Sequence, residues 1–182
     1  MSVAQEKNLV EAENRLLDVN DLHTVLKLPQ GEISVVNGVS LHLDAGETLG
    51  IVGESGCGKS MAALSILRLL PKIGRIDRGS INFQGVDVVN LSIHELRRIR
   101  GNEMSMIFQE PMTSLNPLKT IGSQISESLV LHMGMSRKDA MDRAVEMLEL
   151  VMIPEARRRV SEFPHQMSGG MRQRVMIAIA LS

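Results

Sequence analysis

The sequence has 182 residues with 43% hydrophobic and 23% charged side chains, close to the averages of soluble globular proteins. This length accommodates one domain, or one domain with a subdomain, and the composition excludes disordered, collagen-like and coiled-coil chains. A net charge of −1 gives no overall field that would attract nucleic acid or an anionic membrane, so we expect no nucleic acid partner. The single cysteine, Cys57, excludes an intramolecular disulfide and a cysteine-based zinc site, and it indicates a reducing, cytosolic location.

Neither a secretory signal nor a membrane-spanning segment is expected. Residues 1–15 are polar and acidic and lack the apolar core of a signal peptide. The longest apolar run, residues 175–181, is far shorter than the roughly 20 residues that span a bilayer. Any membrane association is therefore expected to go through a partner.

Alternating apolar and polar residues predict an antiparallel hairpin near the start of the chain. Residues 15–25 and 33–43 have this pattern, and Pro29-Gln30-Gly31 between them is a turn sequence. The apolar run at residues 48–52 then predicts a short buried strand. Good helix formers at residues 61–70 predict a helix that stops before the following proline.

The second half of the chain is predicted to be mainly helical. Ser92 and Glu95 have the spacing of a capping box, which marks the start of a helix. Residues 104–108 indicate another short buried strand, followed by a proline-containing loop over residues 110–117. From Ile121 onward the pattern is helical and predicts a helical subdomain.

Residues 53–60 match the phosphate-binding P-loop pattern G-x-x-x-x-G-K-[ST] in full. Its glycines let successive backbone N–H groups turn towards phosphate oxygens, and the helix that follows presents its positive N-terminus. Lys59 would add a positive charge at the β- and γ-phosphates, and Ser60 would hold Mg²⁺. A glycine-rich turn without a ligand does not explain why Lys59 and Ser60 follow Gly58. The motif consists of Gly53, Glu54, Ser55, Gly56, Cys57, Gly58, Lys59 and Ser60.

Cys57 occupies a position in the P-loop where the backbone does the binding, so its default role is that of a spacer. Its thiol would lie beside Lys59 and a helix N-terminus, both of which favour the thiolate. We hypothesise that alkylation of this thiol blocks nucleotide binding.

A second glycine-containing segment begins an apolar helix near residue 170. Ser168 is a suitable N-cap residue, and Gly169 and Gly170 permit close approach of a ligand to the backbone. Taken alone, a capped helix after a loop explains this segment better than an anion site does.

The order of these features resembles the ATP-binding subunit of ABC transporters. A P-loop, a Gln109 loop at the end of a predicted strand, a helical segment and a Ser-Gly-Gly sequence follow one another over most of the chain. Three segments are similar to the oligopeptide/dipeptide importer branch in particular. They are LGIVGESG at 49–56, IFQEPMTSLNP at 107–117 and FPHQMSGGMRQR at 163–174.

The resemblance implies an α/β fold, a P-loop NTPase of the ABC ATP-binding type with an antiparallel β-subdomain and an α-helical subdomain. Residues 1–182 would form a single, incomplete domain of this kind. Residues 1–113 would be the nucleotide-binding core with the antiparallel β-subdomain, and residues 114–182 the helical subdomain that ends in the signature helix. The C-terminal part of the core, with two strands between the P-loop strand and the Gln109 strand, would be missing, so apolar strand edges would be exposed.

The resemblance also implies roles for individual residues. Gln109 would reach Mg²⁺ and the attacking water, and its loop would contact the membrane subunit, while residues 168–170 would bind the γ-phosphate of ATP across a dimer. Lys59 and Gln109 are thereby assigned to catalysis, and Ser60 and Gln109 to the metal. The nucleotide would be held by the eight P-loop residues together with Met61, Leu26, Val36, Ser168, Gly169, Gly170 and Met171.

The sequence departs from the family pattern in two respects. Leu26 stands where the family has an aromatic residue under the adenine, so apolar contact from Leu26, Val35 or Val36 would replace part of the stacking. The family's four apolar residues followed by Asp-Glu, which supply a Mg²⁺ ligand and the general base, do not follow the signature helix, and the switch histidine is absent too. A P-loop without these parts is expected to bind ATP but to hydrolyse it poorly.

The resemblance implies an ATPase subunit that powers the import of peptides from the cytoplasmic face of the cell membrane. Its partners would be ATP, a second ATP-binding subunit in a homo- or heterodimer, and transmembrane permease subunits. Two alternatives are a nucleotide-binding subunit that regulates a complete partner without hydrolysis, and a truncated fragment without a function of its own. The solute stays open among dipeptides, oligopeptides, nickel and glutathione.

Overall fold

The computed structural model describes residues 15–110 and 114–182. These residues form two compact units, which divide between Leu96 and Arg97. The first unit contains an antiparallel sheet and a helix, and the second is helical.

The first unit is built on a four-stranded antiparallel sheet. Its strands are β1 (Arg15–Leu28), β2 (Gly31–Asp44), β3 (Gly74–Phe83) and β4 (Val86–Asp87). They lie in the order β2-β1-β3-β4, so that β1 is an interior strand. Pro29 and Gln30 form the turn between β1 and β2, which confirms the predicted hairpin. Gln84 and Gly85 form the two-residue turn between β3 and β4, and both have positive φ angles. Turns of this conformation match the twist of the two strands that they connect.

Helix α1 (Lys59–Ile66) is held against β1 by a pair of buried hydroxyl groups. Thr24 and Ser65 are both fully buried, and their Oγ atoms lie 2.7 Å apart. Ser65 also donates to the carbonyl oxygen of Met61 at 2.6 Å. Because a serine hydroxyl has one proton to donate, Thr24 is the donor in its contact with Ser65. This contact fixes the helix that follows the P-loop to an interior strand of the sheet.

Helix α1 ends at Ile66, earlier than the predicted end at residue 70. Arg68 follows in the left-handed conformation, with φ 51°. The N–H groups of Arg68 and Leu69 turn back to the helix carbonyls at 2.9 and 2.8 Å, as in a Schellman motif. The Arg68 guanidinium donates to the carbonyl oxygens of Val88 and Leu91, which holds this residue in its strained conformation.

Residues 48–52 have no regular secondary structure, so the prediction of a buried strand here is wrong. Ile51 is 54% exposed and Val52 is 96% exposed. A short apolar strand becomes buried only where neighbouring strands and helices cover it. None of the strands in the described part of the chain pairs with this segment.

A capping box begins helix α2 (Ile93–Ile99), as the sequence predicts. The Ser92 N–H donates to the Glu95 carboxylate at 2.9 Å, and the Glu95 N–H donates to the Ser92 hydroxyl at 3.3 Å. Two backbone donors at the start of the helix are satisfied in this way.

The second unit packs its helices around one apolar core, which confirms the helical pattern predicted from Ile121 onward. The helices are α3 (Ile121–Met133), α4 (Arg137–Leu150), α5 (Ala156–Arg159) and α6 (Gly169–Leu181), with a 3₁₀ turn at Pro164–Gln166. Ile121, Ile125, Leu148, Val175 and Ala178 are fully buried in the core. None of the helices among the described residues is long and apolar enough to cross a membrane.

Residues 104–108 also lack the buried strand that the sequence predicts. Met104 makes a single parallel bridge with Arg100, and the following residues are irregular. Ile107 is 48% exposed and Phe108 is 41% exposed. The described part of the second unit contains no strand that could pair with these residues and bury them. Part of the predicted loop that follows, residues 111–113, lies outside the described residues.

Candidate functional site

The P-loop lies between strand β2 and helix α1 in the first unit. Gly56 and Gly58 have left-handed φ angles of 84° and 96°, which L side chains rarely adopt. Helix α1 begins directly after Gly58, so the loop leads into a helix N-terminus as the motif requires. The predicted helix after the motif is present, whereas the predicted strand before it is not.

At two of the loop glycines an added side chain would meet neighbouring atoms. A Cβ atom at Gly53 would lie 2.6 Å from the sulfur of Cys57. A Cβ atom at Gly58 would overlap the backbone carbonyl oxygen of Val35 in β2. At Gly56, by contrast, the space is open and only the φ angle favours glycine. The loop is therefore folded tightly on itself and against β2, with its backbone accessible.

Lys59 reaches back over the start of the loop. Its ammonium group donates to the carbonyl oxygens of Gly53 at 2.5 Å and Glu54 at 2.7 Å, and it lies 3.5 Å from the sulfur of Cys57. These backbone acceptors hold a cationic group at the mouth of the P-loop. An ammonium ion is a compact charge that can exchange such carbonyl partners for phosphate oxygens.

The residues that follow Lys59 can take part in cation and phosphate binding. Ser60 is exposed at the second position of α1, and Met61 after it is half-buried. A single hydroxyl oxygen beside a phosphate site fits Mg²⁺, which is commonly bound by few protein ligands together with substrate phosphates. Among the described residues there is no cluster of three His, Cys, Asp or Glu side chains that could hold a metal by itself.

A cavity of about 570 Å³ adjoins the P-loop within the first unit. Its lining is mostly apolar and comes from β2, from residues 49–52 and from Cys57, Gly58, Lys59 and Ala62. Val35 and Val36, two of the predicted contacts of the adenine, are part of the lining. Leu26, which lies on β1 opposite Ile33 and Gly74, is not part of the lining. The contact of Leu26 with adenine stays a prediction.

Gln109 and the Ser-Gly-Gly segment belong to the second unit. Gln109 is exposed and follows the irregular residues 104–108. Ser168 caps helix α6, since its hydroxyl accepts a hydrogen bond from the N–H of Met171 at 3.3 Å. Gly169 and Gly170 are exposed, with nothing within 4 Å of where a Cβ would lie. The predicted N-cap is confirmed, and the backbone beside it is open to a ligand.

Two features of these sites have no signal in the sequence. One is the carbonyl oxygen of Val35, which explains why position 58 is glycine. The other is the side chain of Arg172, which donates to the carbonyl oxygens of Pro164 and Met167 just before the Ser-Gly-Gly segment. Both contacts depend on how the backbone folds, and no spacing of residue types indicates them.

Comparison with known proteins gives one family and a consistent set of relatives. The sequence model of the ABC transporter family matches residues 36–182. The chain is 52% identical to the oligopeptide transport ATP-binding protein OppD of Salmonella typhimurium over 168 residues. This alignment covers 92% of this chain and 50% of that protein. The chain is 53% identical over 169 residues to OppD of Bacillus subtilis, covering 92% of this chain and 47% of that protein. The chain thus spans about half the length of the curated relatives it matches.

Solved structures are similar as well. The dimeric structure of MJ0796, a bacterial ABC transporter cassette, has a TM-score of 0.79 and 29% identity, covering 91% of this chain and 68% of that one. The same cassette in a post-hydrolysis state bound to ADP and Pi has a TM-score of 0.77 and 29% identity, with the same coverage. This similarity confirms the predicted α/β fold class of the P-loop type.

Proposed function

Because the chain belongs to the ABC transporter family, we propose that it is part of an ATP-binding subunit that couples ATP binding and hydrolysis to the import of peptides. The observation that supports the proposal is the geometry of the P-loop, in which Gly56 and Gly58 have left-handed φ angles and Lys59 donates to the backbone at the start of the loop. Peptides are proposed as the solute because the relatives named above are oligopeptide transport proteins.

The nucleotide would be bound mainly through its phosphates. The P-loop backbone and Lys59 would hold the phosphate oxygens, and the apolar cavity with Val35 and Val36 would take the base. Ser60 and Gln109 would complete the Mg²⁺ site, and Gln109 would orient the attacking water. When bound, Mg²⁺ would neutralise charge on the phosphates. The general base is not identified among residues 1–182.

Residues 1–113 would be the nucleotide-binding part and residues 114–182 the helical subdomain; in the described residues the compact units divide at Leu96, ahead of this boundary. Ser168, Gly169, Gly170 and Met171 would bind ATP held by a second ATP-binding subunit. Permease subunits would bring the protein to the cytoplasmic face of the membrane.

The proposal is tested on the protein purified with its native partner subunits. We expect Mg-ATP to bind and to drive uptake of labelled peptides into vesicles. Lys59→Met should weaken ATP binding about ten- to a hundredfold, the cost of losing hydrogen bonds to a charged group. Lys72→Met is the matched control, because Lys72 is an exposed lysine of the same unit outside the P-loop.

Three results would each contradict one part of the proposed function. If the wild-type protein does not bind ATP, or Lys59→Met binds it as well as Lys72→Met does, the nucleotide site is refuted. If Mg-ATP binds without turnover, the regulatory, non-hydrolysing alternative replaces the ATPase. If ATP is hydrolysed but only a solute other than a peptide is taken up, the peptide part of the proposal fails.

A further inference from the structure

The backbone that leads into helix α6 is held by side chains on both sides. The Phe163 N–H donates to the amide oxygen of Gln166 at 2.8 Å, and the Met167 N–H donates to the carbonyl oxygen of Pro164 at 3.2 Å. These bonds close the 3₁₀ turn at Pro164–Gln166. Pro164 and Met167 are buried, whereas the next three residues, 168–170, are exposed.

Arg172 lies in the first turn of α6, and its side chain extends back to the backbone between the 3₁₀ turn and the helix. Its Nε–H donates to the carbonyl oxygens of Pro164 and Met167, with N···O distances of 2.8 and 3.0 Å. The Met167 carbonyl and the Ser168 nitrogen belong to one planar peptide unit. A bond that fixes the carbonyl therefore also fixes the direction of the Ser168 N–H and the start of the Ser168 backbone.

On its C-terminal side the segment from Ser168 to Gly170 is held by helix α6: the Ser168 carbonyl oxygen accepts from the Arg172 N–H at 3.0 Å, and Gly169 and Gly170 begin the helix. Gly169 and Gly170 have no side chains to pack, and nothing lies within 4 Å of where a Cβ would be. The bond from the Met171 N–H to the Ser168 hydroxyl is 3.3 Å long, at the weak end of the usual range. On its N-terminal side the direction of these backbone groups depends on the residues just before them, which the Arg172 side chain holds.

We propose that Arg172 is a positioning residue for the Ser168–Gly170 segment. By holding the Met167–Ser168 peptide unit, it aims the hydroxyl and N–H groups of the segment at a phosphate group. The part of this inference that concerns catalysis rests on the proposed function, in which the segment binds the terminal phosphate of a nucleotide. The part that concerns the backbone does not depend on it.

The test compares two replacements of nearly equal length. Arg172→Gln places an amide nitrogen, with two N–H donors, the same number of bonds from the backbone as the arginine Nε. Arg172→Met places a methyl group there and has no donor. The control is Arg174→Met, because Arg174 lies on the same helix and also donates to a backbone carbonyl, that of Met152 at 2.8 Å, away from the segment.

Four quantities are measured on the protein purified with its native partners: kcat for ATP hydrolysis, the equilibrium affinity for ATP, the melting temperature, and amide hydrogen exchange at Met171, whose N–H donates to Ser168. For Arg172→Met we expect kcat to fall about tenfold or more and exchange to become faster by a similar factor. ATP affinity should fall by less than kcat, because the P-loop and Lys59 would supply most of the phosphate contacts. Arg172→Gln should stay within about threefold of the wild type in both kcat and exchange. Arg174→Met should resemble the wild type.

The proposal is overturned if Arg172→Met keeps the wild-type kcat and exchange, or if Arg172→Gln is as impaired as Arg172→Met. A lower melting temperature in Arg172→Met alone, with ATP affinity falling as much as kcat, would show a general structural role instead. If the wild-type protein hydrolyses no ATP, the proposed function fails, and the exchange rates of the two Arg172 variants still decide whether Arg172 holds the segment.

Discussion

The carbonyl oxygen of Val35, in strand β2, lies where the side chain of any residue other than glycine at position 58 would have to begin. Gly58 is the last residue before helix α1, so this contact sets how closely the P-loop can approach the sheet. The glycine is therefore required by packing as well as by its φ angle of 96°. Gly56 has a φ angle of 84° but open space around it, so a substitution there is affected by the φ angle and not by packing.

Gly58→Ala should be much more damaging than Gly56→Ala. A left-handed alanine costs about 1–2 kcal/mol, which is all that Gly56→Ala should lose in the free energy of unfolding. Gly58→Ala adds an overlap with backbone that has little freedom to move, so we expect a loss of about 3 kcal/mol or more. Denaturant unfolding and an ATP titration of both variants check this, and equal effects of the two substitutions would contradict it.

Alkylation of Cys57 should block nucleotide binding. The sulfur lies 2.6 Å from where a Cβ of Gly53 would be and 3.5 Å from the Lys59 ammonium, so an adduct on it would crowd the mouth of the P-loop. Because Cys57 is the single cysteine of the sequence, a maleimide labels one site. ATP binding is measured before and after stoichiometric labelling, with Cys57→Ser as the variant that should bind ATP and resist the reagent. Full binding by the labelled protein would refute the prediction.

The buried Thr24–Ser65 pair should stabilise the first unit. Ser65→Ala removes the acceptor of the Thr24 hydroxyl and leaves a fully buried donor unsatisfied, at a cost of about 1–3 kcal/mol. Thr24→Val keeps the shape of the side chain and leaves Ser65 bonded to Met61, so it should cost less. The double variant should lose less than the sum of the two single losses, measured by denaturant unfolding. Strict additivity would show that the two hydroxyls do not interact.

The Glu32–Arg75 pair should make stability depend on acid pH. The Arg75 guanidinium donates to both carboxylate oxygens of Glu32, at 2.6 and 3.0 Å, and this hydrogen bonding lowers the pKa of Glu32 below its ordinary value of 4.5. The pKa of Arg75 is raised by the same contact. A lowered carboxyl pKa gives stability that is present in full above the ordinary value and is lost as the pH falls through the lower, folded-state value.

Melting temperatures of the wild type and Glu32→Gln across pH 7 to 2 measure this contribution. At pH 7 the variant should melt at a slightly lower temperature, because both side chains are about half exposed and the pair is screened by solvent. The difference should disappear at the acid end of the range and shrink in high salt. A difference that stays constant with pH would exclude the ion pair as its cause.

Local features of the fold could be predicted from the sequence. The turn of the β1–β2 hairpin, the capping box of Ser92 and Glu95, and the N-cap of Ser168 involve residues at most a few positions apart. Turn and cap residues act through bonds to their own neighbouring backbone, so their meaning is contained in a short sequence window. The P-loop motif was predictable for the same reason.

The strands that the sequence predicts at residues 48–52 and 104–108 show where such prediction stops. Both segments have the apolar character of buried strands, and both are irregular and partly exposed in the structure. Hydrophobic residues favour burial, but a strand forms only where another strand pairs with it. That pairing depends on distant parts of a chain and not on the apolar segment itself.

The sequence by itself determined that this protein has a P-loop followed by a helix, and a capped helix with two exposed glycines near residue 170. The tertiary structure decided what holds these elements in place: the Val35 carbonyl against Gly58, Thr24 against Ser65, and Arg172 against the backbone before Ser168. The physical reason is that caps and turns use bonds between near neighbours. Packing and these stabilising contacts instead depend on atoms that only the folded backbone brings together.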